Sequence, residues 1–375
     1  MKAIKITEVK SSADLNRFIS FQDQLYKGNR YRVPQLHYYE RSSLKPTKNP
    51  AFDFCESKYW MASIEGKMVG RIAGIINKKS NEIWNEQHVR FGWIDFIDDQ
   101  NVSEALIKTV ENWGISKGLD TIVGPMGFTD MDLEGMLVDG FDEISTQAVL
   151  YNYPYYPVHL EKHGYVKDVD WIQHEINVPE QVPEKVKRIA SLVLNKYDLH
   201  VLKTSKARDL LPFAKSMFYT LNEAFKHLYG FVPLTDKQIA HYTKSYFSMI
   251  DPRFVCFVLD RNKKVVGFGI SVPSLSVALQ KAKGKLFPIG FIHLLKGLHH
   301  NNKVDMLLQG VLPEYIKKGV ASVFYAKMMQ AYIDCGVRTV ISSHILEHNY
   351  NSHQMFKAYD TRQHLRRRAY KKNLN

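Results

Sequence analysis

Two stretches of this chain hold residue types at spacings that could do chemistry. In the first, an apolar run (Met306–Leu312) leads into Val311-Leu312-Pro313-Glu314-Tyr315-Ile316-Lys317-Lys318-Gly319-Val320-Ala321. Val320, Val323, Phe324, Met328 and Ala331 then recur at helical spacing on one face. A strand, a turn with two lysines and a glycine, and a helix N-terminus together make an anion site. The first-turn amides have no intrahelical partner, and the helix dipole favours negative charge there. The plainer reading is a basic turn between two buried elements. In the second stretch, Gly124 to Asp142, four glycines and five carboxylates fall within 19 residues. Asp130, Asp132 and Glu134 could bind or deprotonate an amine there, or could be solvated acids of a surface loop. The Asp-x-Asp-x-Glu order lacks the spacing of a calcium loop, so no metal is expected.

Elements on either side must position these stretches. Residues 1–10 read as a strand and Asp14–Tyr26 as an amphipathic helix. Lys58–Ile64 and Met68–Ile76 read as a hairpin around Glu65-Gly66-Lys67. An aromatic strand (Val89–Ile97) reaches Asp98-Asp99-Gln100-Asn101, where a helix begins with Asn101 and Glu104 spaced as a capping box. The strand Thr121–Gly124 follows. Residues 179–198 read as a linker carrying a helix. The pattern then restarts with a strand at Leu199–Leu202, helices through Lys226 and Ile250, and a hairpin of Phe254–Asp260 with Val265–Val272. The expected domains are 1–178 and 199–375, the second with an insertion over 273–303. The duplication is one of pattern, with no residue-level repeat.

At 375 residues the chain can bury two cores, and 45% hydrophobic with 24% charged residues is ordinary for a globular protein. Cys55, Cys256 and Cys335 form no CxxC pair and read as reduced thiols of a cytoplasmic protein. No secretory leader and no membrane-spanning run are seen. Residues 1–180 carry 20 Lys+Arg against 26 Asp+Glu, whereas residues 181–375 carry 31 against 12. The basic half suggests an anionic partner. Within it Lys281, Lys283, Lys285 and Lys296 flank the apolar run Leu286–Leu295, and no acid occurs from Arg261 to Val304. That pattern suits a segment lying at a membrane interface or walling a lipid tunnel, and otherwise a buried helical hairpin. The cationic end, Arg362 to Lys372, lacks an interleaved aromatic platform and any recognised nucleic-acid motif, so nucleic acid is not an expected partner.

The stretch ending Lys317-Lys318-Gly319-Val320-Ala321 resembles the pyrophosphate loop of the GNAT acyltransferase superfamily, Q/R-x-x-G-x-G/A. Gly319 and Ala321 match, and Ile316 stands where Gln or Arg is usual. A strand at Arg338–Ser342, then Glu347-x-Asn349 and a helix with Phe356, continue the likeness. Phe356 falls where many members carry a tyrosine that protonates the leaving thiolate. The resemblance implies an α/β fold with a mixed sheet, two GNAT-like domains in tandem, and acyl-CoA as donor without a metal. It implies CoA contacts from Val311, Leu312, Lys317, Lys318, Gly319, Val320, Ala321 and Asn349, with the backbone near Val311 and Leu312 holding the oxyanion. Glu314, or Asp130, Asp132 and Glu134, would serve as base and acceptor site, and His344 and Tyr359 as acids. In the first half Asp98-Asp99 replaces the glycines and lysines of that loop, so no CoA is expected there.

Over nearly its whole length the chain also resembles a bacterial tandem-GNAT family that includes ceramide synthases. The features are Trp93-Ile94-Asp95, Gly124-Pro125-Met126-Gly127, Asn152-Tyr153-Pro154-Tyr155-Tyr156 and Lys283-Gly284-Lys285-Leu286-Phe287-Pro288. This resemblance implies transfer of a long acyl chain to a sphingoid amine by a cytoplasmic protein peripheral on the inner membrane. An acetyltransferase acting on a small polar amine and a non-catalytic binding protein stay open beside it.

Overall fold

Glu65 and Gly66 both take positive φ, 49° and 79°, and make the two-residue turn whose twist matches a hairpin. They join two strands of a computed structural model that describes residues 3–247, 250–299 and 301–374. The expected helix end near Ile250 includes positions 248 and 249, which lie outside the described residues. The strands are β1 (Ile4–Glu8), β2 (Cys55–Ile64), β3 (Lys67–Asn77), β4 (His88–Phe96), β5 (Thr121–Gly124), β6 (Met136–Asp139), β7 (Val166–Asn177), β8 (His200–Val201), β9 (Val255–Leu259), β10 (Val265–Pro273), β11 (Lys303–Val311), β12 (Thr339–Ile341), β13 (Ile345–Leu346) and β14 (Thr361–Asn373). Two compact units form. One comprises Met1–Ile172, Leu275–Lys296 and Leu365–Asn375, and the other Gln173–Ser274 and Gly297–His364.

In unit 1, β1 to β4 pair in antiparallel succession, β4 pairs β5 in parallel, and β5 pairs β14 antiparallel. The helix Gln100–Ser116 turns Val102, Leu106, Ile107, Val110 and Trp113 to this sheet. It approaches closely because β3 offers no side chain at Gly70 and Gly74, where an added Cβ would lie 2.6 Å from Leu106 and 2.8 Å from Trp113. The cap is Asp99, accepting from the Asn101 N–H at 2.9 Å, rather than the expected Asn101. On the other face Arg71 is buried between Asp95 and Glu40, 2.7 Å from each. Asp95 also accepts from the Tyr26 hydroxyl at 2.9 Å, so the Trp93-Ile94-Asp95 strand supports an internal polar network.

In unit 2, β8 to β11 pair antiparallel, β11 pairs β12 in parallel, and β12 pairs the end of β7 antiparallel. Gly267, Gly269 and Ser271 of β10 face the helix Ala321–Asp334. A Cβ on Gly269 would lie 2.3 Å from Met328, and the Ser271 hydroxyl meets that of Tyr332 at 2.7 Å. Val323, Phe324, Met328, Met329 and Tyr332 are buried there, each contributing roughly 1.5–3 kcal/mol by burial. Ala224, from the helix Ala214–Phe225, packs near Phe268 and Gly310 on the opposite face.

Three expectations about organisation change. The stretch over 179–198 is part of a core: its helix Glu184–Lys196 buries Ala190 and Val193 with Val320 and Val323. Of the stretch 273–303, expected as an insertion of the second domain, residues 275–296 belong to unit 1, where Leu279 packs on Val33 and Leu36. The cationic end is strand β14, whose last residues complete the sheet of unit 1. There Arg366 and Arg368 bind Asp170, Lys371 binds Asp168 and Lys372 binds Glu111. No described helix is long and apolar enough to cross a membrane.

Candidate active site

In unit 2, β11 runs beside β12 for only three residue pairs, Lys303↔Thr339, Val304↔Val340 and Asp305↔Ile341. Beyond them β11 stays paired to β10 as far as Val311, while β12 ends. A bulge lies where β10 passes from Ile270↔Leu308 to Ser271↔Met306, leaving Leu307 as the extra residue of β11. From Met306 onward the β12-facing edge of β11 therefore has no strand partner among the described residues, and its backbone N–H groups are open to a bound group. Gln309 is on this splayed part. Its side-chain oxygen accepts from Ser343 Oγ at 2.9 Å, and its buried Nε2 has no partner among the described residues.

The loop at the end of β11 has the expected construction with one correction. The Leu312 N–H, expected beside Val311 as an oxyanion donor, donates instead to Val266 O at 2.9 Å, and Val311 stands opposite Gly267 in the ladder. A short helical turn, Pro313–Ile316, follows. Gly319 takes φ +79°, which an L side chain resists, and the helix Ala321–Asp334 starts directly after it. No side chain caps that helix. The N–H groups of Val320 and Ala321 have no acceptor among the described residues, whereas those of Ser322 and Val323 bond Gly319 O and Val320 O. Lys317 is exposed, and the Lys318 ammonium sits 4.0 Å above the Tyr315 ring. Two open amides on a helix dipole with two lysines fit a phosphate group.

The other expected residues divide between the units. Glu314 is exposed in the surface turn. Asn349 caps the short helix Tyr350–Gln354, its side-chain oxygen accepting from the Ser352 N–H. His344 is half-buried after β12. Tyr359 has a buried hydroxyl without a partner among the described residues, and burial raises its pKa, which keeps it protonated. Phe356 is buried, edge-on to the Tyr325 ring at 5.7 Å.

Asp130, Asp132 and Glu134 lie in unit 1. Asp132 accepts from the Phe128 and Thr129 amides at 2.9 and 3.1 Å, so it staples its own loop. Burial pushes it up to about 6. Glu134 is buried, and desolvation with the neighbouring Asp130 raises it well above the usual carboxylate range. Its backbone oxygen accepts from buried Arg367.

One pair escaped the sequence. In unit 2 the His174 Nε2 meets His353 Nδ1 at 2.9 Å, and His353 Nε2 meets Leu346 O at 3.1 Å. A carbonyl only accepts, so His353 carries its proton on Nε2. Its Nδ1 then accepts from His174 Nε2–H, which leaves the lone pair of His174 on Nδ1. Burial, then His353, lowers the pKa of His174, so it is neutral near pH 7. Its ring lies 5.7 Å from that of Phe356. The two histidines are 179 residues apart, and no local pattern announces them.

No family model matches the chain. Over 371 residues it is 27% identical to protein YghO of Escherichia coli (strain K12), covering 96% of this chain and 93% of YghO. Over 304 residues it is 27% identical to the bacterial ceramide synthase of Caulobacter vibrioides, covering 78% of this chain and 76% of that protein. A tandem GNAT protein from the clavulanic acid biosynthesis pathway superposes with a TM-score of 0.57 at 11% identity, covering 100% of this chain and 99% of that one. The chain has the tandem GNAT fold. A GCN5-related N-acetyltransferase from Sphaerobacter thermophilus agrees, with a TM-score of 0.50 at 12% identity over 99% of this chain and 96% of that one. The splayed pair β11/β12 and the loop at Gly319, which form the candidate site, both lie in unit 2. Among the described residues no cluster could hold a metal ion.

Proposed function

We propose that this tandem GNAT protein is an acyl-CoA-dependent N-acyltransferase that moves a long acyl chain onto a sphingoid amine. The observation that carries the reading is the pair of open amides at Val320 and Ala321, beside Lys317 and Lys318, at the mouth of the splayed strands. The likeness to a bacterial ceramide synthase supports the acyl chain and the amine. In this reading the loop Lys317–Ala321 holds the diphosphate of the donor, and the thioester enters between β11 and β12. The open edge of β11 near the Leu307 bulge, rather than Leu312, holds the developing oxyanion.

Two protons must then move. The amine nitrogen attacks the thioester carbonyl, the C–S bond breaks, the nitrogen loses a proton and the thiolate gains one. We assign the first transfer to His174 Nδ1, since Glu314 lies out in solvent. Tyr359, kept protonated by burial, suits the second. Both substrates of such a reaction partition into lipid. Lys281, Lys283, Lys285 and Lys296 would therefore hold a cytoplasmic protein to the inner face of a membrane.

The test is a thermal shift of purified protein with palmitoyl-CoA, acetyl-CoA and free CoA, followed by mass spectrometry for amide formed from palmitoyl-CoA and sphinganine. A ligand at about 100 times its dissociation constant stabilises by about 2.7 kcal/mol. The expected result is a larger shift with palmitoyl-CoA than with acetyl-CoA, and an amide product. His174→Gln should lower turnover by about 100-fold or more while leaving the palmitoyl-CoA shift intact. Equal shifts would favour the small-acyl reading. No shift with any donor would make the loop structural and the protein a binding module.

A further inference from the structure

The insertion over 273–303 reads from its sequence as either a membrane-facing stretch or a buried hairpin, and the side chains of 275–296 are sorted between two directions. Leu279, Leu286 and Leu294 pack with Val33 and Leu36 in unit 1. The His37 N–H donates to Gly284 O at 2.9 Å, Ser276 Oγ to Ser145 O at 3.0 Å, and Gln280 Nε2 to Arg30 O at 2.7 Å. These bonds fix the segment to unit 1. Against that anchored side, Phe287 is 76% exposed, Ile289 59% and Leu295 52%, with Phe291 and Ile292 also exposed. Five large apolar side chains within nine residues are thus turned to solvent, and contiguous apolar surface of that kind marks an interaction site.

The charges around this surface choose the occupant. Lys281, Lys283, Lys285 and Lys296 are all exposed, and none has an ion-pair partner among the described residues. No acid lies between Asp260 and Asp305. A second copy of the chain seated symmetrically on this face would bring two such lysine groups together without a counter-charge. A layer with anionic headgroups over hydrocarbon answers both features at once, since lysines meet the headgroups while aromatic and aliphatic side chains enter below them. We infer that Phe287, Ile289, Phe291, Ile292 and Leu295 insert into the surface of an anionic lipid bilayer, with the four lysines held at its phosphates. The insertion does not depend on which acyl chain or amine the protein uses.

Sedimentation with vesicles tests this, using phosphatidylcholine alone and phosphatidylcholine mixed with phosphatidylglycerol. The full chain should bind the mixed vesicles far more strongly. Each lysine near the surface contributes about fivefold in partitioning, so Lys281→Ala/Lys283→Ala/Lys285→Ala should weaken binding by about 100-fold. Phe287→Asp/Phe291→Asp should abolish it, although both positions are exposed and the fold should be unaffected. The vesicle-free thermal shift with palmitoyl-CoA should be the same in all variants, which separates this inference from the acyltransferase reading. Failure to bind the mixed vesicles overturns the proposal, as does wild-type binding by the Phe287→Asp/Phe291→Asp variant. A concentration-dependent dimer dissolved by both sets of substitutions, without vesicle binding, would make the face a contact between copies and overturn it as well.

Discussion

Arg90 and Asp305 occupy the same place in two sheets built alike. In unit 1 the parallel pair β4/β5 has three registered positions, His88↔Thr121, Val89↔Ile122 and Arg90↔Val123. In unit 2 the parallel pair β11/β12 also has three, the last at Asp305↔Ile341. Each sheet then opens, and the two gaps are treated differently. In unit 1 the gap is filled by the chain that leaves β5. The Met126 N–H donates to Phe91 O at 2.8 Å, and Cβ atoms at Gly92 and Gly124 would lie within 2.4 Å of backbone oxygens. Arg90 holds this plug by donating to Gly127 O, with Phe128 and Thr129 buried behind it. In unit 2 no comparable loop follows β12 among the described residues, and the last paired residue is a buried carboxylate. The two helix starts differ in the same sense. Asp99 caps one with its own carboxylate, while the other leaves two amides open. A GNAT sheet parts its strands in both units, and the side chains around the gap decide whether a ligand can use it.

The largest test of this comparison is electrostatic. Among the described residues no group meets strict hydrogen-bond geometry with either oxygen of Asp305, and burial pushes it up to about 7 from 3.8, against the weaker pulls of the Ser274 hydroxyl and Lys303. A carboxyl raised in the folded state binds more protons there than in the unfolded chain, so stability falls as pH rises across that interval. The penalty is absent below pH 3.8 and complete above about 7, where it amounts to about 4 kcal/mol. Asp305→Asn should therefore stabilise the protein at pH 8 and flatten the fall in denaturant midpoint between pH 5 and 8. An unchanged slope would mean that Asp305 has a counter-charge, and that the open gap of unit 2 is less polar than its residues imply.

Much of this architecture is legible in the sequence because it is local. Gly66 marks a turn needing positive φ, and Gly319 with its lysines marks a strand-to-helix junction, each readable within a dozen residues. What the sequence hid is non-local. The basic end of the chain reads as a tail because Arg367 occupies a core position of β14 between Leu365 and Ala369, breaking their apolar alternation. The helix Glu184–Lys196 reads as a linker because the partners of its buried face, Val320 and Val323, lie more than a hundred residues on. The acids of the Gly124–Asp142 loop read either as an acceptor site or as solvated acids, and the bonds of Asp132 to the amides of its own loop are a detail that composition cannot reveal. The His174–His353 pair was silent because its members lie 179 residues apart.

The loop at Gly319 sharpens the comparison at a lower energy. Gly319→Glu gives unit 2 the acidic character that Asp98-Asp99 gives unit 1, and it forces an L side chain onto φ +79°. A Cβ there would meet only Val193 Cγ2 at 3.5 Å, so the neighbouring structure has room and the damage should stay local. The expected outcome is loss of the palmitoyl-CoA shift, about 2.7 kcal/mol at saturating ligand, with an otherwise native circular dichroism spectrum. Retention of the shift would show that the donor is held elsewhere and that the open amides of Val320 and Ala321 are incidental.

The smallest effect concerns the other helix. Asp99 accepts from the Asn101 N–H at 2.9 Å and from Asn101 Nδ2 at 3.1 Å, so it satisfies an orphan amide and places negative charge at the positive end of the dipole. Asp98 beside it accepts from His159 Nε2 at 3.0 Å. Asp99→Ala should cost about 1 kcal/mol of stability, visible as a lower midpoint in urea. It should not confer a second donor site, because Asp98 remains and Pro125 to Phe128 still fill the gap beyond Arg90. Titration calorimetry with palmitoyl-CoA should return one site in the variant as in the parent chain. Two sites would mean that the carboxylate cap alone had kept the donor out of unit 1, and that the plug behind Arg90 yields to a ligand.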